Sequence, residues 1–300
     1  MKKTFYSNGK LLITGEYTVL DGATALALPT KHGQSLEITP NDKDSITWTA
    51  FDADGTAWLE IDLPISAIIE NKPSGSPEAE ALVKILNEAH LSNPTILENG
   101  FEVVTKLTFP RKWGLGTSST LINNIAQWFG IDPYMLLAKT FGGSGYDIAC
   151  AQNNTPILYR LENGRPVTEP VAYRPEFTEN IYFVYLNQKQ NSREAIATYR
   201  EHRSDIAPVV LQISELTASL LKAPTAAAFS LILESHETIM SGILRQPTVK
   251  EKLFPDFDGT VKSLGAWGGD FVMAVSGSDP TDYFISKGYK IVIPYEAMIL

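Results

Sequence analysis

The sequence predicts an α+β protein of two domains built on antiparallel sheets. Strands and helices follow one another in runs without regular alternation, which argues against a doubly wound parallel fold. A length of 300 residues with 44% hydrophobic content suits one large domain or two of ordinary size. Between Arg160 and Asn180 the chain turns rich in proline and charge, with Gly164, Pro166, Pro170 and Pro175, and the domain boundary is placed there. Residues 1–168 then form the first domain and 169–300 the second.

Each element has its own signal. Leu11 to Thr14 opens a strand that runs into Gly15 and Glu16, and Ser35 to Thr39 forms another. Ile46 to Ala50 and Thr56 to Ile61 flank Asp52-Ala53-Asp54-Gly55, a hairpin turn. Ser76 before Pro77 and Glu78 starts a helix whose Leu82, Ile85, Leu86 and Ala89 share a face. Gly100 to Thr108 alternates as a strand, and Leu121, Ile122, Ile125, Ala126 and Phe129 then recur at helical spacing. Asp132 and Pro133 open a short helix, and Pro156 to Arg160 is a strand. Beyond the boundary come the strand Ile181 to Leu186, a helix led by Ile206, Val210, Ile213 and Leu216, and another led by Phe229, Ile232, Leu233 and Ile239. Strands Phe271 to Val275 and Lys290 to Ile293 flank a short helix near Tyr283.

Composition excludes several functions. A net charge of −9 argues against a nucleic-acid surface, which needs clustered cations. No segment reaches the roughly 20 apolar residues of a membrane span, and Asn8, Gly9, Lys10 and Glu16 break up any signal-peptide core at the start. One cysteine, Cys150, rules out an internal disulfide and fits a reducing cytoplasm. Four scattered histidines give no zinc spacing.

The chemistry begins at Pro110 to Thr120, PRKWGLGTSST, where a strand hands over to a helix. Gly114 and Gly116 let the backbone turn sharply and approach a ligand closely. The first amides of the new helix point outward at the positive end of its dipole, and Ser118 and Ser119 add hydroxyls. A Gly-x-Gly turn with Thr or Ser is also an ordinary helix start. Neither a Gly-x-x-x-x-Gly-Lys-Ser/Thr phosphate loop nor a Gly-x-Gly-x-x-Gly dinucleotide turn occurs.

Three further segments accompany it: Asn8 to Leu28, NGKLLITGEYTVLDGATALAL; Phe141 to Ala151, FGGSGYDIACA; and Lys262 to Asp270, KSLGAWGGD. In this order the four resemble the motifs of the GHMP kinases, the superfamily of galactokinase, homoserine kinase, mevalonate kinase and phosphomevalonate kinase. The resemblance covers nearly the whole chain. Gly9-Lys10-Leu11, Gly15-Glu16-Tyr17, Gly143-Ser144-Gly145-Tyr146-Asp147 and Gly268-Gly269-Asp270 look most like the phosphomevalonate kinase pattern, whereas mevalonate kinases usually read Gly-Glu-His. Leu136 and Lys139 stand where mevalonate kinases carry an acidic helix residue.

The resemblance implies a two-domain fold, with a ribosomal protein S5 domain 2-like N-terminal domain and a ferredoxin-like C-terminal domain. It implies an ATP- and Mg2+-dependent phosphotransferase acting on phosphomevalonate in the mevalonate route to isoprenoids, as a cytoplasmic monomer or homodimer. The alternatives are mevalonate or another small alcohol as acceptor, or a non-catalytic regulatory module on the same fold. By resemblance Lys10 sits beside the transferred phosphoryl group, and Asp147 orients or deprotonates the acceptor. Ser118 ligates magnesium, with Ser119 in support. Gly114, Leu115, Gly116 and Thr117 offer amides to the triphosphate, and Gly265, Ala266, Gly268 and Gly269 line the site. Trp267 stands where the family usually has glycine. Glu16, Tyr17, Ser144, Gly145, Lys189, Ser192 and Arg193 are the expected acceptor contacts. Each also has a plainer reading: Lys10 as a solvated strand-end lysine, Asp147 and the serines as helix caps, Lys189 and Arg193 as surface charges of a helix start.

Overall fold

A computed structural model describes residues 1–72, 75–188, 192–202 and 205–300. The chain divides into two compact units, neither of them continuous in sequence. The first comprises Met1–Gly9, His32–Arg111 and Leu115–Gln152, and the second comprises Lys10–Lys31, Lys112–Gly114 and Asn153–Leu300.

Strands β1 (Lys3–Leu12) and β2 (Ala25–Asn41) each contribute residues to both units. The first unit continues with β3 (Ser45–Phe51), β4 (Ala57–Pro64), α1 (Ile65–Ile69), α2 (Pro77–Ser92), β5 (Gly100–Leu107), α3 (Thr117–Phe129), α4 (Pro133–Thr140) and α5 (Tyr146–Gln152). Its strands lie in the order β4-β3-β5-β2, with β3 and β5 parallel and the other pairs antiparallel. Helices α2 and α3 cover one face. Ser76 Oγ accepts the Ala79 amide at 3.2 Å as the cap of α2, as Ser-Pro-Glu implied. Trp48, Leu86, Val103, Ile122, Ile125 and Phe129 fill the core, each large apolar side chain contributing about 1.5–3 kcal/mol.

The second unit adds β6 (Ile157–Glu162) and β7 (Arg165–Pro170), which extend the start of β2 in antiparallel register. Part of the proline-rich stretch in which the sequence reading places the domain boundary forms a strand. Pro166 and Pro170 lie on β7, an edge strand, where a missing amide breaks no inner ladder, and the 168/169 boundary falls inside that strand.

Then come β8 (Ile181–Tyr185), α6 (Ser192–His202), α7 (Ala207–Leu220), α8 (Ala226–Leu244), α9 (Val249–Leu253), β9 (Thr260–Leu264), β10 (Phe271–Val275), α10 (Thr281–Ser286), β11 (Val292–Pro294) and α11 (Tyr295–Met298). The strand order β11-β8-β10-β9, all antiparallel, is the ferredoxin-like arrangement. Strand β9, not foreseen, carries Lys262 and Ser263 with every residue buried. Val184, Phe254, Val261, Val272 and Phe284 make one core of this unit. Tyr17, Tyr199, Ile213, Met240 and Leu244 make another. No helix among the described residues is long and apolar enough to cross a membrane.

Candidate functional site

In the second unit, β1 delivers Lys10, whose Nζ donates to the Gly114 carbonyl at 3.0 Å. The short segment 112–114 is gripped from several sides. Trp113 packs edge-on to Phe271 with centroids 5.5 Å apart, and the Tyr185 hydroxyl donates to the Lys112 carbonyl at 3.1 Å. Gly114 has φ 69°, and a Cβ there would sit 2.3 Å from the Asp270 Cγ. The left-handed angle favours glycine at 114, and a Cβ there would have to push the Asp270 carboxylate aside. Burial raises the Tyr185 pKa first, and the nearby Asp270 charge adds to the shift.

The amides from Trp267 to Asp270 are bonded within the protein. Trp267 N donates to Tyr17 Oη at 2.8 Å, Gly268 N to Ser263 Oγ at 3.2 Å, Gly269 N to the Ala266 carbonyl at 3.1 Å and Asp270 N to the Gln188 carbonyl at 2.7 Å. Gly265 (φ 73°), Gly268 (φ 76°) and Asp270 (φ 54°) occupy left-handed backbone, so the loop is a tight built turn. In this conformation Gly268 and Gly269 offer a wall rather than amide donors.

Glu16 lies beneath, 2% exposed, with Oε1 2.6 Å from the fully buried Lys262 Nζ. Glu237 Oε1 lies 3.1 Å from the same ammonium, and His236 Nε2 accepts the Gly15 amide at 3.0 Å while standing 3.3 Å from Glu16 Oε2. Desolvation pushes the Glu16 pKa up to about 7 against the pull of Lys262. Desolvation raises Glu237 and lowers His236, which fits the imidazole acting as an acceptor. Burial opposes the charge on Lys262, yet Glu16 and Glu237 outweigh it and its pKa is raised.

The first unit holds the helix that follows the glycine turn. Gly116, at φ 101°, is the N-cap of α3, and no side chain caps the helix. Ser119 Oγ and Thr120 Oγ1 donate to the Gly116 carbonyl at 2.9 and 3.0 Å, so neither hydroxyl covers the first amides. Both residues are buried, whereas Ser118 is exposed. The helix is seated by a buried polar network: Ser7 Oγ donates to Asn124 Oδ1 at 2.7 Å, Asn123 Nδ2 to Ser7 Oγ at 2.8 Å and Asn124 Nδ2 to the Gln34 carbonyl at 2.9 Å. What results is a rigid helix start with outward amides, one exposed hydroxyl and the positive end of a dipole.

Helix α5 packs against α3 and carries Asp147 in its first turn, after the left-handed Gly143 (φ 107°) and Gly145 (φ 87°). Asp147 Oδ1 accepts the Ile148 amide at 3.2 Å, one residue inside the helix rather than at its cap. A cavity of about 110 Å³ opens beside Ser118, lined by Trp48, Trp58, Leu82, Ile85 and Thr117 among others. Trp58 Nε1 is buried there without a hydrogen-bond partner, and Arg111 lies 4.5 Å over its ring.

The sequence-derived residues thus fall into two sets. Leu115, Gly116, Thr117, Ser118, Ser119, Ser144, Gly145 and Asp147 belong to the first unit, and Lys10, Glu16, Tyr17, Gly114, Gly265, Ala266, Gly268 and Gly269 to the second. Glu16 and Tyr17, expected to touch an acceptor, are both buried, one in an ion pair and the other against a loop amide. Lys189 and Asn191 lie outside the described residues, as do the side chains of Ser192, Arg193 and Glu194. Sequence reasoning missed Trp58, which sits in no motif. It also passed over Trp113 and Asp270, although both stood inside quoted motifs. Among the described residues no three His, Cys, Asp or Glu side chains gather as a metal site.

No family model matches the sequence, and no curated protein matches it. Solved structures do match its fold. The phosphomevalonate kinase of Streptococcus pneumoniae, in complex with phosphomevalonate and AMPPNP, superposes with a TM-score of 0.73 at 16% identity, covering 97% of this chain and 99% of that one. The mevalonate kinase of Methanococcus jannaschii gives 0.68 at 14% identity over 96% and 94%. The galactokinase of Lactococcus lactis with galactose gives 0.69 at 14% over 95% and 88%. The chain has the fold these GHMP kinases share.

Proposed function

We propose that this chain is an ATP-dependent small-molecule kinase of the GHMP type, with phosphomevalonate as its preferred acceptor. The observation that carries the reading is the start of α3. Its amides are uncapped, Ser118 stands exposed at its first turn, and the glycine turn leading into it has its first carbonyl held by Lys10. Magnesium-bound ATP supplies the phosphoryl group and much of the charge neutralisation.

The protein's part is alignment. The amides of Thr117, Ser118 and Ser119 hold phosphate oxygens, and the Ser118 hydroxyl is a magnesium ligand. Magnesium keeps several waters and leans on phosphate oxygens, so a single hydroxyl beside the triphosphate would serve as its protein ligand. The apolar cavity beside Ser118 receives the purine, with the unpaired Trp58 indole N–H donating to a ring nitrogen. Lys10 fixes the turn and places positive charge near the moving group. Asp147 orients the acceptor. A phosphomonoester acceptor already carries a nucleophilic oxygen and needs positioning and cations more than a base.

Supporting the acceptor class are the Gly15-Glu16-Tyr17 and Gly268-Gly269-Asp270 motifs and the likeness to the phosphomevalonate kinase fold. A screen of mevalonate, phosphomevalonate, galactose and a heptose phosphate by ADP release tests the reading. Phosphomevalonate should give the highest kcat/KM. Faster turnover on a neutral sugar would overturn the acceptor assignment, and no ADP release with any acceptor would overturn the kinase.

A further inference from the structure

Tyr17 is held in a backbone conformation that tyrosine rarely adopts. Its φ is 59° and ψ −47°, and Thr18 N donates to the Glu16 carbonyl at 2.6 Å across it, a γ-turn of the rare, strained hand. Neighbours on both sides keep the turn closed. Glu16 is clamped by Lys262, Gly15 N is bound by His236, and Val19 N donates to the Gly15 carbonyl at 2.9 Å. Strain kept up by that much surrounding structure points to a task for the side chain.

The side chain does two things. Its ring stacks on Tyr199 of α6, with centroids 5.5 Å apart and planes at 26°, and Tyr199 is itself fixed by a 2.6 Å hydrogen bond to Asp21. Its hydroxyl accepts the Trp267 amide of the glycine-rich loop at 2.8 Å. The Trp267 indole anchors the loop a second time, donating to the Pro247 carbonyl at 3.1 Å. The amides of Gly268, Gly269 and Asp270 find acceptors within their own loop, strand or neighbouring segment, so Tyr17 is the residue that joins a loop amide to an α6 ring, in a cluster against which the Trp267 side chain also packs.

We infer that Tyr17 is a positioning residue that couples helix α6 to the glycine-rich loop 265–269, so that order in one is transmitted to the other. The inference rests on the kinase reading for its functional consequence, because that reading expects residues 265–269 to bind nucleotide and α6 follows the expected acceptor segment. Its structural half stands without that reading. Tyr17→Phe keeps the stack and loses the latch, whereas Tyr17→Leu loses both.

Amide hydrogen exchange and steady-state kinetics on the full chain separate the possibilities. In Tyr17→Phe the Trp267 amide should exchange about tenfold faster, the size of one lost hydrogen bond, with the melting temperature little changed. The KM for ATP should rise by a similar factor while the acceptor KM holds. In Tyr17→Leu both KM values should rise. Unchanged exchange at Trp267 in Tyr17→Phe, or identical kinetic patterns in the two variants, would overturn the inference. If the wild type transfers no phosphoryl group, the proposed function falls, and the exchange result alone then decides the latch.

Discussion

Adding one methyl group at Gly114 should be felt twice. Alanine at φ 69° occupies left-handed backbone, which costs an L-residue about 1–2 kcal/mol. Its Cβ would also lie 2.3 Å from Cγ and Oδ2 of Asp270 and 2.7 Å from Oδ1. Contact distance is more than an ångström longer, so the carboxyl must move, and overpacking of this kind costs about 1–3 kcal/mol. Gly114→Ala should therefore lose roughly 2–5 kcal/mol in urea unfolding followed by tryptophan fluorescence. Asp270→Gly removes the obstructing group and relieves the left-handed backbone at φ 54°. In Gly114→Ala/Asp270→Gly only the backbone cost at 114 should remain, so the double-mutant cycle should recover about 1–3 kcal/mol of coupling. A loss below about 1 kcal/mol for Gly114→Ala, or strict additivity in the cycle, would refute the close approach of this turn to Asp270.

Other perturbations follow from the buried charges and the proposed chemistry. Lys262→Met strands Glu16 and Glu237 without their cation and should cost about 3–5 kcal/mol by thermal or urea unfolding. Glu16 has a folded pKa near 7 against 4.5 when exposed, so its contribution to stability is complete below pH 4.5 and is lost as pH rises through 7. Glu16→Gln should flatten that part of the stability profile, and a profile unchanged by the substitution would count against the buried carboxyl. Asp147→Asn and Lys10→Met should each lower kcat by about a hundredfold or more, with unfolding curves like the wild type. Trp58→Phe removes a buried donor that has no protein partner, so stability should hold or rise while the preference for ATP over a pyrimidine nucleotide shrinks.

Much of the fold was legible because local chemistry and tertiary role agree. The Ser76 cap, the Asp52–Gly55 hairpin turn and the alternation of β5 were readable for this reason. The glycine turn before α3 was readable too, since positive φ at Gly114 and Gly116 leaves few alternatives to glycine. The rest depends on context that overrides composition. Pro166 and Pro170, in the stretch read as a domain boundary, sit on an edge strand, where a proline costs no inner hydrogen bond. The sequence reading expects Glu16 to touch an acceptor and gives Lys262 no role of its own. Glu16 is buried against Lys262, 246 residues away, which Glu237 also neutralises, and no local pattern encodes such a pairing. The role of Trp58 was invisible for a related reason: an unpaired indole N–H exists only once the cavity around it has closed.

Phosphorus NMR of the full chain with ATP, magnesium and phosphomevalonate tests the proposed reaction most directly. Transfer to the monoester predicts loss of the ATP γ signal, growth of ADP, and a new pair of coupled resonances from a P–O–P linkage on the acceptor. ATP and phosphomevalonate that persist unchanged, or ATP that yields only inorganic phosphate, would contradict it.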